Sequence, residues 1–235
     1  MSPAAVSLAF FDPEHERHGM ARAGTTLLFE GTTPSTIEED PRLEPNGEGW
    51  SARAEGRFEL AFSPSSEVVE LGPVRSRVCT VTGSVGDVEV SCLGTASETL
   101  EAPSWNELDA VRAVSALFGP GSGVLALARR PRGAHGHGEE LVTAAIVREG
   151  EALPVEDARL STVYDGDGRQ RSAGLELWLP GEDFPRRLSG SVSAGSSLEL
   201  ESVIVNAAVF RWRMDGREGA GEYNLTARNE PPAAA

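Results

Sequence analysis

The chain is poor in the residues that most metal, redox and disulfide sites need, with two cysteines and four histidines among 235 amino acids. So few cysteines are typical of a reducing compartment and provide no disulfide framework for a small secreted fold. A glycine-rich phosphate loop, a dinucleotide fingerprint and a GxSxG nucleophile turn are also missing from the sequence. Kinases, dehydrogenases and ordinary serine hydrolases are therefore excluded, and we expect no cofactor and no bound metal.

Basic residues and long apolar runs are scarce as well. The chain has 21 basic and 36 acidic residues and a formal net charge of -15, which disfavours nucleic acid and anionic membrane surfaces as partners. No stretch approaches the roughly 20 apolar residues that a membrane-spanning helix needs. The short apolar run at 4–11 has no basic residue before it, unlike a signal peptide. We expect a cytoplasmic protein without membrane insertion.

What the sequence does contain is alternation of apolar and polar residues. The clearest example is 209–214, followed by Asp215-Gly216 and then by 217–228. Alternation on both sides of an Asp-Gly pair is typical of a β-hairpin, because these two residues tolerate positive φ. Similar segments follow one another along most of the chain. The predicted fold class is all-β, as consecutive antiparallel barrels or sandwiches with almost no helix.

Three segments need separate interpretation. The stretch 30–49 is rich in Thr, Pro, Glu, Asp and Gly and reads as a long surface loop, whereas 197–205 reads as one strand. The stretch 104–118 is ambiguous. It begins like a helix capping box, yet Arg112, Val114 and Ala116 alternate with apolar neighbours as in a strand that leads to a glycine-rich hairpin loop.

The two cysteines fall in one predicted hairpin, 78–92. With the turn centred on Val85-Gly86, Cys79 is paired with Cys92, and the small apolar residues share one face. A cross-strand disulfide or redox switch is one interpretation. Because free cysteine often packs as a small apolar side chain, we interpret the pair as core residues.

The second half of the chain contains LSTVYDGDG at 160–168, AGLELW at 173–178, PRRL at 185–188, FRW at 210–212 and GAGEY at 219–223. With these segments it resembles the AttH-like proteins, a superfamily that includes carotenoid 1,2-hydratase (hydroxyneurosporene synthase). The opening SLAFFDP at 7–13 and the hairpin at 81–83 fit the same pattern. The resemblance covers most of the chain.

This resemblance implies two lipocalin-like β-domains in tandem, and a break in the strand pattern near 101–103 places them at 1–102 and 103–229. The segment 230–235 is expected to be a disordered tail. It also implies a lipophilic pocket and favours a strand at 111–118. Members commonly carry Gly-x-Arg-x-His-x-Trp after the cysteine hairpin, with the His and Trp facing the cavity. Here Ala96, Glu98 and Leu100 stand at the Arg, His and Trp positions.

Three residues are candidates for acid/base catalysis: Glu98, Tyr164 and Asp165. A desolvated Glu98 can hold a proton at neutral pH, but it can equally be an ordinary exposed carboxylate. Tyr164 and Asp165 can orient or protonate a substrate at a barrel mouth. Their alternative role is a simple β-turn, since Asp-Gly-Asp-Gly is typical turn sequence.

Three further residues are candidates for ligand binding: Trp105, His137 and Trp178. Trp105 lies at the expected joint between the domains, and Trp178 lies opposite a row of leucines, so both can equally be packing residues. His137 belongs to the histidine- and glycine-rich segment 129–140, for which a surface loop is an alternative to a metal site.

Two functions fit these features. The first is a cofactor-independent lyase (hydratase), isomerase or cyclase that acts on a terpenoid, steroid or polyketide-like molecule by proton transfer. The second is a non-catalytic carrier or structural binding protein for such a lipophile. The partner is a lipophilic small molecule in both, and the sequence leaves the oligomeric state open.

Overall fold

The computed structural model describes residues 5–37, 40–134, 137–200 and 202–229, so the predicted tail at 230–235 lies outside the described residues. The alternation seen in the sequence becomes nineteen strands and one 3-10 turn, His137–Glu139. The strands are β1 Ala5–Asp12, β2 Arg17–Arg22, β3 Thr25–Glu30, β4 Thr33–Ile37, β5 Arg42–Asn46, β6 Gly49–Ala54, β7 Phe58–Pro64, β8 Val69–Leu71, β9 Val74–Val85, β10 Val88–Thr99, β11 Leu108–Gly119, β12 Ser122–Pro131, β13 Leu141–Arg148, β14 Glu151–Pro154, β15 Asp157–Tyr164, β16 Gln170–Trp178, β17 Arg186–Leu200, β18 Val203–Met214 and β19 Arg217–Arg228. The all-β prediction is confirmed. Among these residues, no helix is long and apolar enough to cross a membrane.

The strands form two curled antiparallel sheets with the same strand order. The first sheet runs β4-β3-β2-β1-β10-β9-β7-β6-β5, and β8 also pairs with β9. The second runs β14-β13-β12-β11-β19-β18-β17-β16-β15. In each sheet the first strand pairs with the last, and two strands consecutive in the chain form the opposite edges. The chain crosses from one sheet to the other between Thr99 and Leu108, while the domain limits 1–102 and 103–229 stay a prediction.

Three apolar cores hold these sheets together. One fills the inside of the first sheet and one fills the inside of the second. The third lies between the sheets and contains Phe11, Leu27, Leu125, Leu127 and Val209 from both. Strands β1 and β12 are buried on both faces because their alternate residues belong to different cores. This explains why their sequences are continuously apolar rather than alternating.

The hairpin turns fix the registers. In the last hairpin, Met214 pairs with Arg217 around Asp215 and Gly216, whose φ angles are +51° and +74°, as a type I′ turn requires. The predicted register of the cysteine hairpin is wrong. The turn is centred on Gly86-Asp87, so Cys92 pairs with Val81 rather than with Cys79. A slip of two residues keeps the same side chains on the same face, and both thiols remain free against the first core.

Two other segments differ from prediction. The stretch expected to be a surface loop at 30–49 contains β4 and β5, the edge strands of the first sheet, which have few apolar residues because they are mostly exposed. The strand expected at 197–205 is divided between β17 and β18, which meet at a turn near Ser202. The ambiguous stretch resolves into a turn at 104–107 and strand β11.

Glycine at position 190 makes room for the largest side chain of the second core. A Cβ atom at Gly190 would lie 2.3 Å from the Trp212 ring, whose side chain is fully buried. We expect Gly190→Ala to lower the free energy of unfolding by about 1–3 kcal/mol through overpacking. Gly195→Ala on the same strand is the matched control, since its nearest neighbour would be 3.5 Å away. Equal stabilities of the two variants in urea denaturation would contradict this account.

Candidate functional site

The second sheet contains a cavity of about 610 Å³ near its open edge. Apolar side chains from three neighbouring strands form much of its wall, namely Ala158, Leu160, Leu175 and Leu188. Glu140 and Val142 border it from the other side of the edge, just after the 3-10 turn. Charged and hydroxyl side chains line it as well, namely Glu140, Asp157, Arg159, Ser161, Glu176, Arg187 and Ser189. The cavity therefore combines an apolar part with polar groups that can orient a ligand.

A buried ion pair borders this cavity through Glu140. Arg112 projects from β11 toward the interior, and its Nη1 donates to Oε2 of Glu140 at 2.5 Å. The side chains are only 3% and 1% exposed. Burial of two charges is costly, and a pair at this distance regains much of that cost through attraction in a low-dielectric interior. The pair thus places opposite charges, fixed in position, beside an apolar space.

Tyr223 adds a hydroxyl to the same interior. Its oxygen lies 2.5 Å from the hydroxyl of Thr162, and its ring packs 5.5 Å from that of Phe210. Burial raises the pKa of Tyr223 above its usual value, although the nearby Arg112 acts in the opposite direction. The phenol therefore stays protonated across the physiological pH range and can donate a hydrogen bond to Thr162 or to a ligand.

A buried amide holds the strand that carries Tyr223. Gln170, which is 3% exposed, donates from Nε2 to the backbone carbonyls of Asn206 and Tyr223, each at 3.0 Å. These bonds link β16 to the two central strands β18 and β19. Because both donor hydrogens are used, the amide positions the backbone at Tyr223 and has no donor left for a ligand.

The structure places two of the catalytic candidates, Tyr164 and Asp165, in different surroundings. Tyr164 packs, half-buried, against the second core, and its hydroxyl is within electrostatic reach of Tyr223. Asp165 is exposed, and its Oδ1 accepts backbone hydrogens from Asp167 and Arg169, both at 2.9 Å. The geometry of Asp165 is that of a turn residue. Its catalytic role stays a prediction.

The three ligand-binding candidates lie apart from one another. Trp178 is half-buried on the outer face of β16, opposite the inward leucines, with the Arg159 guanidinium 4.8 Å from its ring centroid. Trp105 lies half-buried in the turn before β11. His137 begins the 3-10 turn that leads to Glu140, while its side chain lies outside the described part of the structure. Their roles in ligand binding also stay predictions.

Glu98 belongs to a different cavity. It is half-buried and lines a space of about 330 Å³ formed by the first sheet, together with Trp50 and Arg77. Ala96 borders the same space, whereas Leu100 follows the strand and is 46% exposed. Glu98 thus does not share a cavity with Tyr164, so the three predicted catalytic residues are not brought together.

A carboxyl group that the sequence did not single out lies where the sheets meet. Glu222, on β19, accepts a hydrogen bond on Oε2 from Nδ2 of Asn224 at 2.6 Å. Arg22 of the first sheet is close enough to interact with it electrostatically. Burial raises the pKa of Glu222 to about 7, against the smaller effects of Asn224 and Arg22. This carboxyl group therefore changes charge near neutral pH.

The third cavity is a groove of about 780 Å³ between the two sheets, lined by side chains of both. Within the described residues, no cluster of three or more His, Cys, Asp and Glu side chains is arranged to hold a metal ion. Carboxylate, guanidinium and hydroxyl groups line each of the three cavities described, and aromatic residues line the first-sheet cavity and the groove.

Arg112 is the site residue that sequence reasoning should have found. It stands in an otherwise apolar strand and shares its face with Val114 and Ala116. An arginine on a core-facing position needs a buried partner. Its partner Glu140 follows the glycine-rich segment, and the local sequence does not indicate which of the carboxylates is the partner of Arg112.

Known structures share this architecture. The chain is similar to the crystal structure of CghA, with a TM-score of 0.63, 10% identity, and coverage of 96% of this chain and 88% of that one. A putative AttH from Nitrosomonas europaea gives a TM-score of 0.62 at 13% identity, covering 95% and 92%. Kievitone hydratase from Nectria haematococca gives 0.60 at 10% identity, covering 96% and 89%.

Sequence comparison adds no closer relative. No family model matches the chain, and no curated protein matches it. The structural likeness at such low identity establishes the fold alone. That fold is the AttH-like arrangement of two lipocalin-like sheets in tandem, which confirms the resemblance seen in the sequence.

Proposed function

We propose that the protein binds a lipophilic small molecule inside the second sheet. The apolar body of this ligand would lie against Leu160, Leu175 and Leu188, and the polar group of the ligand would face the ion pair and the Tyr223 hydroxyl. The observation that carries this proposal is the buried Arg112–Glu140 pair beside a cavity that has aliphatic side chains on one wall. The volume of about 610 Å³ falls within the range of about 300–1,000 Å³ usual for ligand pockets.

The chemical class of the ligand is inferred from the side chains that line the second-sheet cavity. The aliphatic side chains suit the apolar body of a terpenoid, steroid or polyketide-like molecule in the cytoplasm, and the charged and hydroxyl side chains suit its polar groups. One structurally similar protein is a hydratase named for kievitone. Hydration, isomerisation or cyclisation without a cofactor is therefore the catalytic version of this proposal, with a protonated tyrosine and a buried ion pair as its polar groups.

A carrier function is the second candidate. Glu98 lies in the cavity of the first sheet, and both backbone contacts of Asp165 are internal to its own turn. The acid/base candidates are therefore dispersed rather than convergent, which favours binding without turnover.

A cavity-filling variant tests the binding site. Ala158→Phe places a ring in the second-sheet cavity and should weaken binding of the neutral fluorescent lipophile N-phenyl-1-naphthylamine at least about 10-fold, as loss of about 1.4 kcal/mol requires. Ala96→Phe makes the same change in the first-sheet cavity and should leave the affinity unchanged. Fluorescence titration measures both. Absence of binding to the wild type, or loss in Ala96→Phe alone, would overturn the proposal.

Native mass spectrometry of protein purified from its own host complements this test. A retained lipophile should appear as a mass increment that is lost in Ala158→Phe. Its mass would then identify the ligand class and decide which molecule to assay for turnover.

A further inference from the structure

Two arginines are neighbours on the inner face of the second sheet. Arg130, which is half-buried, lies on the same face of β12 as Ala128, a member of the second core. Arg112 pairs with Ala128, and Ala110 pairs with Arg130, so the two arginines are diagonal neighbours on adjacent strands. Two positive charges are therefore close together on the side of the sheet that faces its core.

Within the described residues, Arg112 has a carboxylate partner and Arg130 has none. Nη1 of Arg112 donates to Glu140, whereas Nη2 of Arg130 donates to the backbone carbonyl of Ala134 at 2.9 Å, which is a neutral acceptor. The Nε atoms of both arginines are buried and lack an acceptor in the same part of the chain. Buried N–H groups are almost always hydrogen-bonded, and buried arginines are almost always paired, so these two groups lack an anion.

Both arginines adjoin the cavity of the second sheet through Glu140. This carboxylate lines the cavity and contacts Arg112. Leu141 pairs with Arg129 at the start of β13, so Glu140, the preceding residue, lies at the level of Arg130. A ligand that extends along the cavity to Glu140 is therefore close to both guanidinium groups.

The other charged side chains that line the cavity form pairs among themselves. Nε of Arg159 lies 3.6 Å from Oδ2 of Asp157, and Nε of Arg187 lies 3.2 Å from Oε1 of Glu176. The two inner arginines and Glu140 then carry two positive charges and one negative charge. One further anion would give each guanidinium group a carboxylate, and the planar guanidinium group matches the geometry of a carboxylate.

We propose that the ligand of the second sheet is a lipophilic carboxylic acid, bound in its ionised form by Arg112 and Arg130. The ligand carboxylate accepts hydrogen bonds from the Nε atoms of both arginines, and the apolar chain lies against the leucines of the cavity. This inference rests on the proposed function, because it names the polar group of the lipophile that binds there.

Two probes that share one chain test the charge of the ligand. Dodecanoate and 1-dodecanol differ in the head group, which is an anion in the first and a neutral hydroxyl in the second. In displacement of N-phenyl-1-naphthylamine at neutral pH, we expect dodecanoate to bind at least about 10-fold more tightly, because hydrogen bonds to an ionised acceptor are the stronger ones. Equal affinities for the two probes would overturn the inference.

A pair of variants on β12 assigns the effect to the inner face. Arg130→Met should lower the affinity for dodecanoate about 10-fold and leave the affinity for 1-dodecanol unchanged. Arg129→Met removes a guanidinium group from the opposite face of the strand, where it approaches Gly72 of the first sheet, and should leave both affinities unchanged. Wild-type binding of dodecanoate by Arg130→Met, or an equal loss in Arg129→Met, would contradict the assignment to Arg130.

The bound carboxyl group supplies a readout that needs no variant. With dodecanoate labelled with carbon-13 at the carboxyl position, the bound acid should titrate at a lower pH than the free acid, because two guanidinium groups favour its ionised form. A bound carboxyl group that titrates at the same or a higher pH would overturn the inference. The proposed function would survive that result if both probes still displace N-phenyl-1-naphthylamine and lose affinity in Ala158→Phe. Absence of binding by every probe would overturn both.

Discussion

Replacing Arg112 with methionine should lower the free energy of unfolding by about 3–5 kcal/mol, because the buried guanidinium group that contacts Glu140 is removed from the second sheet. Few single substitutions reach this size, and one that does points to a specific buried interaction. Urea denaturation followed by tryptophan fluorescence measures the change.

The double variant Arg112→Met/Glu140→Met distinguishes loss of the ion pair from simple loss of packing. Replacing both members of a buried pair with apolar side chains of similar size is often neutral or stabilising, so the double variant should be at least as stable as the wild type. If it were as unstable as Arg112→Met, the ion pair would not be the source of the effect. A stable double variant that no longer binds the lipophile would show that the pair serves the ligand and not the fold.

The second large effect is a loss of stability as the pH rises toward neutrality. The pKa of Glu222 is raised to about 7 in the folded protein, against 4.5 for the unperturbed group, so the native state holds a proton that the unfolded state has released. The stabilising contribution is complete below about pH 4.5 and is lost as the pH passes through about 7. We expect this single group to account for about 2–3 kcal/mol between these limits.

Glu222→Gln should remove this dependence, because the amide mimics the protonated carboxyl group at every pH. The variant should therefore be more stable than the wild type above pH 7 and similar to it below pH 4.5, in parallel denaturation series. Glu218→Gln is the matched control on the same strand, since Glu218 is 70% exposed and contacts Arg213 at the surface. Identical pH profiles for wild type and Glu222→Gln would contradict a raised pKa at this position.

Alternation in the sequence determined most of the fold prediction. It identified the strands in which one face is buried, such as β16 with its inward leucines, and the Asp-Gly turn of the last hairpin. It failed at the edge strands β4 and β5, because strands with exposed faces carry no apolar pattern. It also misplaced the cysteine hairpin by two residues, since such a slip leaves every side chain on its predicted face.

The candidate site was less accessible to sequence reasoning. Arg112, Glu140, Tyr223 and Glu222 acquire their properties from partners distant in the chain. A pairing between β11 and the segment before β13 becomes visible only once the sheet is assembled.

The shared strand order has a consequence for synthesis of the chain on the ribosome. Because β1 pairs with β10, the first sheet is complete once residue 99 has emerged, and domains generally form as units in the order of their synthesis. Its outer face carries Phe11, Leu27 and Phe29, whose cover from the second sheet includes Leu125 and Val209. The completed first sheet therefore keeps an uncovered apolar face while more than a hundred further residues are synthesised. Aggregation is most favoured during this interval of the protein's biogenesis.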